Sequence, residues 1–294
     1  MRDRRPAARL LLLPAPLLLL ACATLPESPS LDRVRAWAIQ LHGDVDPAKA
    51  SGYDMLVLDP SARPVPGRIC LAYVNVGQAE AYRPYWKAFW RAPESGRGVP
   101  DYLLAADPDG WQGNYMVAYW DPRWQALLWG GVGGAMDEAL AKGFDGIFLD
   151  WVLAYRDASV AVAAKGVDPE RAMETLVRDL AAYARRKRPG AFVVLNNGAP
   201  LAARSAEVRR AIDGVVQESL FFGGRPEAGW DDEGAGDMLQ APAPALQAAL
   251  RALDCPVFTL DYAIRPEHER SAREASAALG YRPFVSRVPL DRLP

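Results

Sequence analysis

The chain has 294 residues, with 34 Lys and Arg, 36 Asp and Glu, three Cys and two His. This length suits one large domain or two small ones, and the 50% apolar composition can fill a sizeable core. The formal net charge of −2 argues against nucleic acid as the main partner, because proteins that bind phosphate backbones are usually strongly basic. Two histidines and three cysteines are too few for a three-histidine or a four-cysteine metal site. Any catalysis must therefore rest on carboxylates and aromatic side chains.

The amino terminus has the pattern of an export signal. Four arginines precede an apolar run, Leu10–Leu20, which is about half of the ~20 residues that a membrane span needs. The run ends in Leu19-Leu20-Ala21-Cys22, which resembles the lipobox of bacterial lipoproteins. We predict a signal peptide over residues 1–21 and a lipidated Cys22 that begins a Pro/Ser-rich tether over residues 22–35. Plain secretion with a free Cys22 is the alternative.

A lipid on Cys22 would hold the exported chain at a membrane of a bacterial cell envelope, on its periplasmic or extracellular face, without a span across it. Removal of residues 1–21 leaves 30 basic and 35 acidic residues and a net charge of −5. The two remaining cysteines, Cys70 and Cys255, could pair in an oxidising compartment. Each lies at the start of a different predicted strand, and these strands are not expected to be neighbours, so two buried thiols are the preferred prediction.

Eight short apolar runs predict strands of a parallel sheet. They are rich in Val, Ile, Leu and Phe and show little alternation, which suits strands that are buried on both faces. The runs are Trp37–Gln40, Met55–Asp59, Ile69–Asn75, Gly146–Asp150, Val193–Asn197, Val215–Glu218, Val257–Tyr262 and Phe284–Ser286.

Helical patterns lie between several of these strands. They cover Pro122–Lys142, Pro169–Lys187, Pro200–Ile212, Pro244–Leu253 and Pro266–Leu279. Asp121 and Asp168 stand where an N-cap is expected, with Pro at the first helical position. Strand and helix repeated in this order indicate a parallel α/β fold.

The number of strands favours a single (β/α)8 TIM barrel over residues 36–294, with a long insertion, Gly77–Asp121, after the third strand. A doubly wound sheet is the alternative, but no Gly-rich phosphate turn follows the first strand.

Polar residues end all eight predicted strands. They are Gln40, Asp59, Asn75, Asp150, Asn196 and Asn197, Glu218, Asp261 with Tyr262, and Ser286. One polar residue after a strand often only caps a turn, but in a barrel this whole set faces the mouth where active sites lie. The set contains four carboxylates and no histidine. Paired carboxylates without a cofactor are the equipment of glycoside hydrolysis.

Aromatic residues crowd into the insertion. They are Tyr82, Tyr85, Trp86, Phe89, Trp90, Tyr102, Trp111, Tyr115, Tyr119, Trp120 and, just past it, Trp124. Most are expected to form a satellite hydrophobic cluster under a long loop. Two or three are expected to line a groove for sugar rings. Trp120 is predicted to be one of them because it neighbours Asp121 at a helix start.

The loop after Glu218, over Phe221–Asp237, is rich in glycine and carries Asp231, Asp232 and Glu233. It is interpreted as a solvated loop, with a lid that attracts a cationic substrate as the alternative.

Four segments carry a family resemblance. Tyr73–Arg83, Val117–Pro122, Gly143–Asp150 and Gln217–Leu220 resemble glycoside hydrolase family 114, and the similarity runs from about Trp37 to Leu290. That family comprises endo-α-1,4-polygalactosaminidases with a (β/α)8 barrel and many secreted bacterial proteins. The resemblance implies that Asp150 and Glu218 correspond to the family's catalytic carboxylates, and that no metal or organic cofactor is needed.

The implied substrate is an α-1,4-linked galactosamine polymer, whose free amines suit a carboxylate-rich mouth. Glu218 is expected to act as general acid/base with a raised pKa, and Asp150 as nucleophile, although these roles could be exchanged. Position alone predicts the substrate contacts: Asp59, Asn75, Asn197, Asp261 and Tyr262. A carbohydrate-binding lipoprotein that keeps the barrel without turnover is the competing function.

Two further expectations concern residues near these motifs. Asp145 and Gly146 precede the fourth predicted strand, so they should lie on the opposite face of the barrel and serve a turn. Glu80 and Arg83 should form an ion pair that braces the insertion.

Overall fold

The computed structural model describes residues 30–94, 96–131 and 133–294. The predicted signal peptide, Cys22 and most of the tether lie outside the described residues. The strands are β1 (Trp37–Gln40), β2 (Met55–Leu58), β3 (Ile69–Asn75), β4 (Gln78–Glu80), β5 (Leu103–Ala106), β6 (Asn114–Val117), β7 (Gly146–Asp150), β8 (Phe192–Asn196), β9 (Gly214–Glu218), β10 (Phe222–Gly223), β11 (Met238–Leu239), β12 (Val257–Asp261) and β13 (Arg282–Val285).

The helices are α1 (Pro47–Ala50), α2 (Pro122–Leu128), α3 (Ala135–Lys142), α4 (Ala158–Ala163), α5 (Pro169–Lys187), α6 (Ala199–Arg204), α7 (Ala206–Ala211), α8 (Pro244–Arg251) and α9 (Pro266–Ala278). Short 3-10 turns lie at Leu31–Arg33 and Ala154–Arg156. Across the described ranges, no helix is both long and apolar enough for a membrane span.

Eight parallel strands form the barrel in the order β1-β2-β3-β7-β8-β9-β12-β13. The first and last strands come together without a regular ladder. The indole Nε1 of Trp37 donates to the carbonyl of Arg282 at 2.9 Å, and the amide of Leu41 donates to the carbonyl of Leu290 at 2.7 Å. The predicted (β/α)8 TIM barrel is confirmed, and all eight predicted strands are present within one or two residues at each end.

Alternate residues along β7 and β8 belong to two apolar layers. Phe148 and Val194 pack in a cluster inside the barrel. Leu149 and Leu195, one position further on, pack in a second cluster with helix residues such as Leu180 of α5. A residue's position in this alternation therefore decides whether its side chain faces the inside of the barrel or the helices.

Two predicted helices are each split in two, which corrects the sequence expectation. Pro122–Lys142 is α2 and α3, separated at Gly130–Gly134, where Gly130 takes a φ of 73° that favours glycine. Pro200–Ile212 is α6 and α7. Ser205 between them is extended, and its hydroxyl caps α7 by accepting from the amide of Val208. Helix α5 matches its prediction at both ends, with Asp168 as N-cap.

The insertion after β3 contains a three-stranded antiparallel sheet in the order β4-β6-β5. Its aromatic rings pack on one another: the ring centroids of Trp86 and Trp90 are 5.1 Å apart, and those of Tyr85 and Trp124 are 5.6 Å apart. The Trp124 indole donates to the Val76 carbonyl at the end of β3. The aromatic rings cluster as expected, but they join the main apolar layer of the barrel and its helices and do not form a separate cluster. They fix the insertion against the barrel.

The opposite end of the barrel holds Asp145 and Gly146, as expected. One Asp145 carboxylate oxygen accepts from the amide of Cys70, and the other pairs with Arg188. Cys70 is buried, Cys255 is partly buried, and both are free thiols. These contacts tie the start of β3 to the start of β7, which gives Asp145 a structural role.

Gly146 supplies a stability prediction. A Cβ atom at this position would lie 2.2 Å from the carbonyl oxygen of Phe192 and 2.7 Å from its amide nitrogen. Because backbone cannot move aside as a flexible side chain can, Gly146→Ala should lower the free energy of unfolding by about 1–3 kcal/mol. Denaturant unfolding followed by circular dichroism measures the loss. The control is Gly52→Ala, whose Cβ would approach nothing closer than 3.7 Å; equal stability of the two variants would contradict the packing argument.

Candidate active site

A cavity of about 790 Å³ opens at the carboxyl ends of the barrel strands. Its charged lining residues come from the strand ends, the insertion and the loop after β9. They are Asp59, Glu80, Asp109, Asp150 and Glu218 on the acidic side, and Arg83 and Arg225 on the basic side, with His42 nearby. Carboxylates therefore dominate the charge of the cavity.

Asp150 ends β7 and accepts three hydrogen bonds. One carboxylate oxygen accepts from the Tyr73 hydroxyl at 2.7 Å, and the other from the Trp151 amide at 2.8 Å and from Asn196 Nδ2 at 2.9 Å. Donors that converge on one carboxylate stabilise its ionised form. Tyr73 points into the barrel from β3, so two adjacent strands fix the position of this acid.

Glu218 ends β9 and accepts two side-chain hydrogen bonds. The Tyr262 hydroxyl lies 2.5 Å from Oε1, and Asn196 Nδ2 lies 2.8 Å from Oε2. Tyr262 follows β12, the neighbour of β9, and is buried. Its phenol therefore holds the Glu218 carboxylate in one orientation.

Asn196 at the end of β8 joins the two acids. Its single amide nitrogen donates to Asp150 Oδ1 and to Glu218 Oε2. Because one nitrogen lies within 2.9 Å of both oxygens, these oxygens are less than about 6 Å apart. The side chains of β7, β8 and β9 thus form a continuous carboxylate–amide–carboxylate bridge.

Removal from solvent raises the pKa of both carboxyl groups. For Glu218 the second cause is the negative charge of Asp150, and the donors Tyr262 and Asn196 lower the pKa in part. For Asp150, burial raises the pKa, and the donors Asn196, Tyr73 and Trp151 oppose that rise. Both pKa values are therefore raised, and Asp150 has one more donor than Glu218 to oppose the rise.

A second buried network connects the insertion to the barrel. Arg83 pairs with Glu80 at 2.6 Å and with Asp59 at 2.5 Å. Burial raises the pKa of Glu80, partly opposed by Arg83. Burial also raises the pKa of Asp59, but Arg83 and Ser61 lower it by more, so the pKa of Asp59 lies below its usual range. The expected Glu80–Arg83 ion pair is present. Arg83 also pairs with Asp59, which is one of the predicted substrate contacts.

Three predicted substrate contacts line the cavity: Asp59, Asn197 and Tyr262. Two of them are already engaged with the acid pair. Asn197 takes a positive φ of 53°, and its side-chain oxygen accepts from the amide of Glu218 at 3.0 Å. Tyr262 donates to the same residue's carboxylate. Both residues therefore position Glu218. Their place at the strand ends in the sequence did not predict this role.

Three other predicted contacts do not line the cavity, which corrects the sequence expectation. Asn75 is buried, and its side-chain oxygen accepts from the Gln78 amide. Asp261 is fully buried, and one of its carboxylate oxygens accepts from the amides of Phe221 and Phe222, so it holds the start of the following loop. Trp120 is partly buried and packs edge-to-face against Tyr119 beside the hydrophobic core.

Two aromatic residues of the insertion line the cavity instead. Trp111 is 39% exposed and Tyr82 is 66% exposed, so both rings are open to a ligand. The Tyr82 hydroxyl donates to Glu80, and the Arg83 guanidinium lies 5.1 Å from the ring centroid. The sequence contained both residues in its aromatic set but no signal that distinguished them from the rings that pack inside.

The loop after β9 contributes Ser219, Gly224, Arg225 and Pro226 to the cavity. Three of its acidic residues are used within the fold. Asp232 accepts from two turn amides, Glu233 pairs with Arg265, and Asp237 contacts His268 Nδ1 at 2.8 Å. The loop is thus fastened to α9, and none of its acidic side chains lines the cavity.

The site's chemistry is that of two neighbouring acids with raised pKa values, whose facing oxygens lie less than about 6 Å apart. Such a pair can donate a proton to a leaving oxygen and stabilise or attack the carbon that it leaves. In the ranges that the structure describes, no group of three or more His, Cys, Asp or Glu side chains has the arrangement of a metal site.

The chain is similar to known proteins over most of its length. Residues 21–293 match the profile of glycoside-hydrolase family GH114. An uncharacterised protein of Deinococcus radiodurans is 32% identical over 91% of this chain and 85% of its own length. One of Thermotoga maritima is 30% identical over 63% of this chain and 60% of its own length.

Among solved structures, the glycoside hydrolase domain of PelA from Pseudomonas aeruginosa superposes with a TM-score of 0.60 at 22% identity. The match covers 88% of this chain and 97% of that domain, and supports the shared barrel fold. On the strength of the nearly full-length profile match, this chain belongs to glycoside hydrolase family GH114.

Proposed function

We propose that this chain is an endo-acting glycoside hydrolase of α-1,4-linked galactosamine polysaccharide, with Asp150 and Glu218 as its catalytic pair. The observation that carries the proposal is the amide of Asn196, which bonds both carboxylates at the carboxyl end of the barrel. A GH114 chain has to position two acids around one glycosidic bond, and this bridge does so.

We infer a retaining mechanism from the facing oxygens of the two acids, which lie less than about 6 Å apart, because ~5–5.5 Å between carboxyl groups is typical of retention and ~6.5–9.5 Å of inversion. In the first step the Asp150 carboxylate attacks the anomeric carbon while Glu218 protonates the departing glycosidic oxygen. A glycosyl ester on Asp150 results. In the second step Glu218, now ionised, takes a proton from water, whose oxygen attacks the anomeric carbon and releases Asp150.

The charge of the cavity supports a cationic substrate. Arg83 is neutralised by Asp59 and Glu80, and Arg225 is paired with Glu227. Asp109 lies in the same cavity, and within the described chain its carboxylate has no hydrogen bond or ion pair. Amines on a galactosamine chain would complement this excess of carboxylates, and Trp111 and Tyr82 offer faces for sugar rings.

The competing function is a carbohydrate-binding protein without turnover. It requires the same cavity but no pair of neighbouring acids with raised pKa values. Asp150 and Glu218 form such a pair across the shared donor Asn196, so catalysis is favoured.

We further propose export, with residues 1–21 as signal peptide and a lipid on Cys22 that anchors the enzyme in the cell envelope. Support comes from the Leu-Leu-Ala-Cys sequence at residues 19–22. The enzyme would then act on its polysaccharide outside the cytoplasm.

Removal of either acid tests catalysis. Asp150→Asn and Glu218→Gln should each lower kcat on deacetylated galactosaminan at least about 100-fold, because each removes a group that reacts in the transition state. Oligosaccharide release measured by mass spectrometry gives the rates, and proton NMR of the first product should show the α anomer for retention. Asp254→Asn, an exposed carboxylate at the other end of the barrel, is the control. Unchanged release by both acid variants would refute the pair, and ligand binding without release by the wild type would favour the competing function.

The pH profile tests the division of roles. If Asp150 must be ionised and Glu218 protonated, activity rises with pH through the pKa of Asp150 and falls through the raised pKa of Glu218. Tyr73→Phe removes a donor from Asp150, so that pKa rises and the acidic limb should move to higher pH. Tyr262→Phe does the same to Glu218 and should move the alkaline limb to higher pH. Exchanged effects on the two limbs would exchange the roles.

Asp109 tests the cationic substrate. In a Glu218→Gln background, Asp109→Asn should weaken binding of deacetylated galactosamine oligosaccharides about fivefold, the effect of one partly exposed charge pair. Binding of the N-acetylated oligosaccharides, which carry no charge, should not change. Calorimetric titration measures both, with Asp101→Asn on the same insertion as the matched control. Equal weakening for both ligands would contradict recognition of an amine.

The mass of the mature chain tests the anchor. The wild-type protein isolated from bacterial membranes should begin at Cys22 and carry the mass of added acyl chains, whereas Cys22→Ser should carry none. Intact-mass spectrometry distinguishes them. The same mature mass per chain in both, apart from the substitution itself, would refute lipidation.

A further inference from the structure

Charge is distributed unequally between the two ends of the barrel. The segments that lead into the eight barrel strands, together with the first residue of β13, form one surface. We call it the amino-terminal face, and it comprises residues 32–36, 51–54, 67–68, 142–145, 185–191, 209–213, 251–256 and 279–282. This face contains 12 Lys and Arg against five Asp. The remaining described residues contain 18 basic and 29 acidic side chains. The barrel is therefore strongly polarised, with its cationic end opposite the cavity.

Several of these cations are available to a partner. Arg186, Arg210 and Arg251 are exposed, and within the described chain none of them forms an ion pair. Lys187 is half exposed beside Asp137. They end α5, α7 and α8, which precede the adjacent strands β8, β9 and β12, so they form one continuous patch.

Helix geometry alone does not account for this charge. A cation in the last turn of a helix is favoured by the helix macrodipole, which explains Arg186 and Arg251. Arg35 and Arg68 lie on the same face but directly before strands, outside the last turn of any α-helix. A cavity of about 480 Å³ also opens here, lined by Arg33, Arg68 and Arg188 with two aspartates.

The start of the described chain lies on this face as well, because Ser30 lines that cavity. Cys22 is eight residues earlier, and eight extended residues reach at most about 29 Å. An attachment at Cys22 would therefore keep the amino-terminal face within about 29 Å of the attachment point.

We propose that the amino-terminal face is a docking surface for an anionic phospholipid bilayer. Basic residues near such a surface are attracted to its headgroups, and the acidic cavity end is repelled. Docking therefore turns the cavity away from the membrane, towards polysaccharide in solution. The charges act without a lipid on the chain, so the proposal does not depend on acylation of Cys22 or on glycosidase activity.

The test uses the full chain with Cys22→Ser, so that no acyl group contributes. Co-sedimentation is measured with vesicles of phosphatidylglycerol in phosphatidylcholine and with vesicles of phosphatidylcholine alone. Binding should occur only to the anionic vesicles and should fall as salt is raised. The quadruple variant Arg186→Glu, Lys187→Glu, Arg210→Glu and Arg251→Glu should reduce the partition coefficient at least about tenfold.

The matched control reverses the same number of exposed cations elsewhere: Lys87→Glu, Arg91→Glu, Arg97→Glu and Lys165→Glu. It has the same net charge, so it should keep most of the binding if the face matters. Circular dichroism confirms that both variants are folded. Equal loss in the two variants, equal binding to both vesicle types, or no binding to anionic vesicles would each overturn the proposal.

Discussion

The site depends on two carboxylates held side by side at the floor of a cavity. Their negative charges repel each other, and removal from water adds to the cost, so the fold has to supply donors in fixed positions. Asn196 donates to both acids, while Tyr73 and Tyr262 each serve one. These groups come from successive or adjacent strands of one parallel barrel, which brings all their carboxyl ends to the same mouth.

The insertion after β3 completes the cavity that the barrel begins. Its aromatic rings fill the space between the small antiparallel sheet and the barrel wall, and Arg83 pairs with Asp59 at the end of β2. That attachment places Tyr82, Asp109 and Trp111 around the acid pair. The same molecule is acidic at this mouth, whereas the segments that lead into its barrel strands carry an excess of basic residues.

The sequence was informative wherever a short segment carried its own physical signal. Eight apolar runs between helical patterns predicted the barrel, and polar strand ends predicted where the mouth lies. The two-residue alternation along a strand could also have predicted which strand-end side chains face the barrel interior. Asp150, Asn196 and Glu218 lie two positions after Phe148, Val194 and Val216, which face the barrel interior. Tyr262 follows Leu260 in the same way, whereas Asp261 falls on the other side and is buried behind the loop.

By itself, then, the sequence determined the eight barrel strands and their order, and it placed the polar strand ends at one end of the barrel. The tertiary structure decided which side chains meet. The shared donor Asn196, the positioning role of Asn197, and Trp111 rather than Trp120 at the cavity all depend on register, barrel closure and the path of the insertion. Such contacts join residues far apart in the chain, and no local periodicity encodes the distance between them.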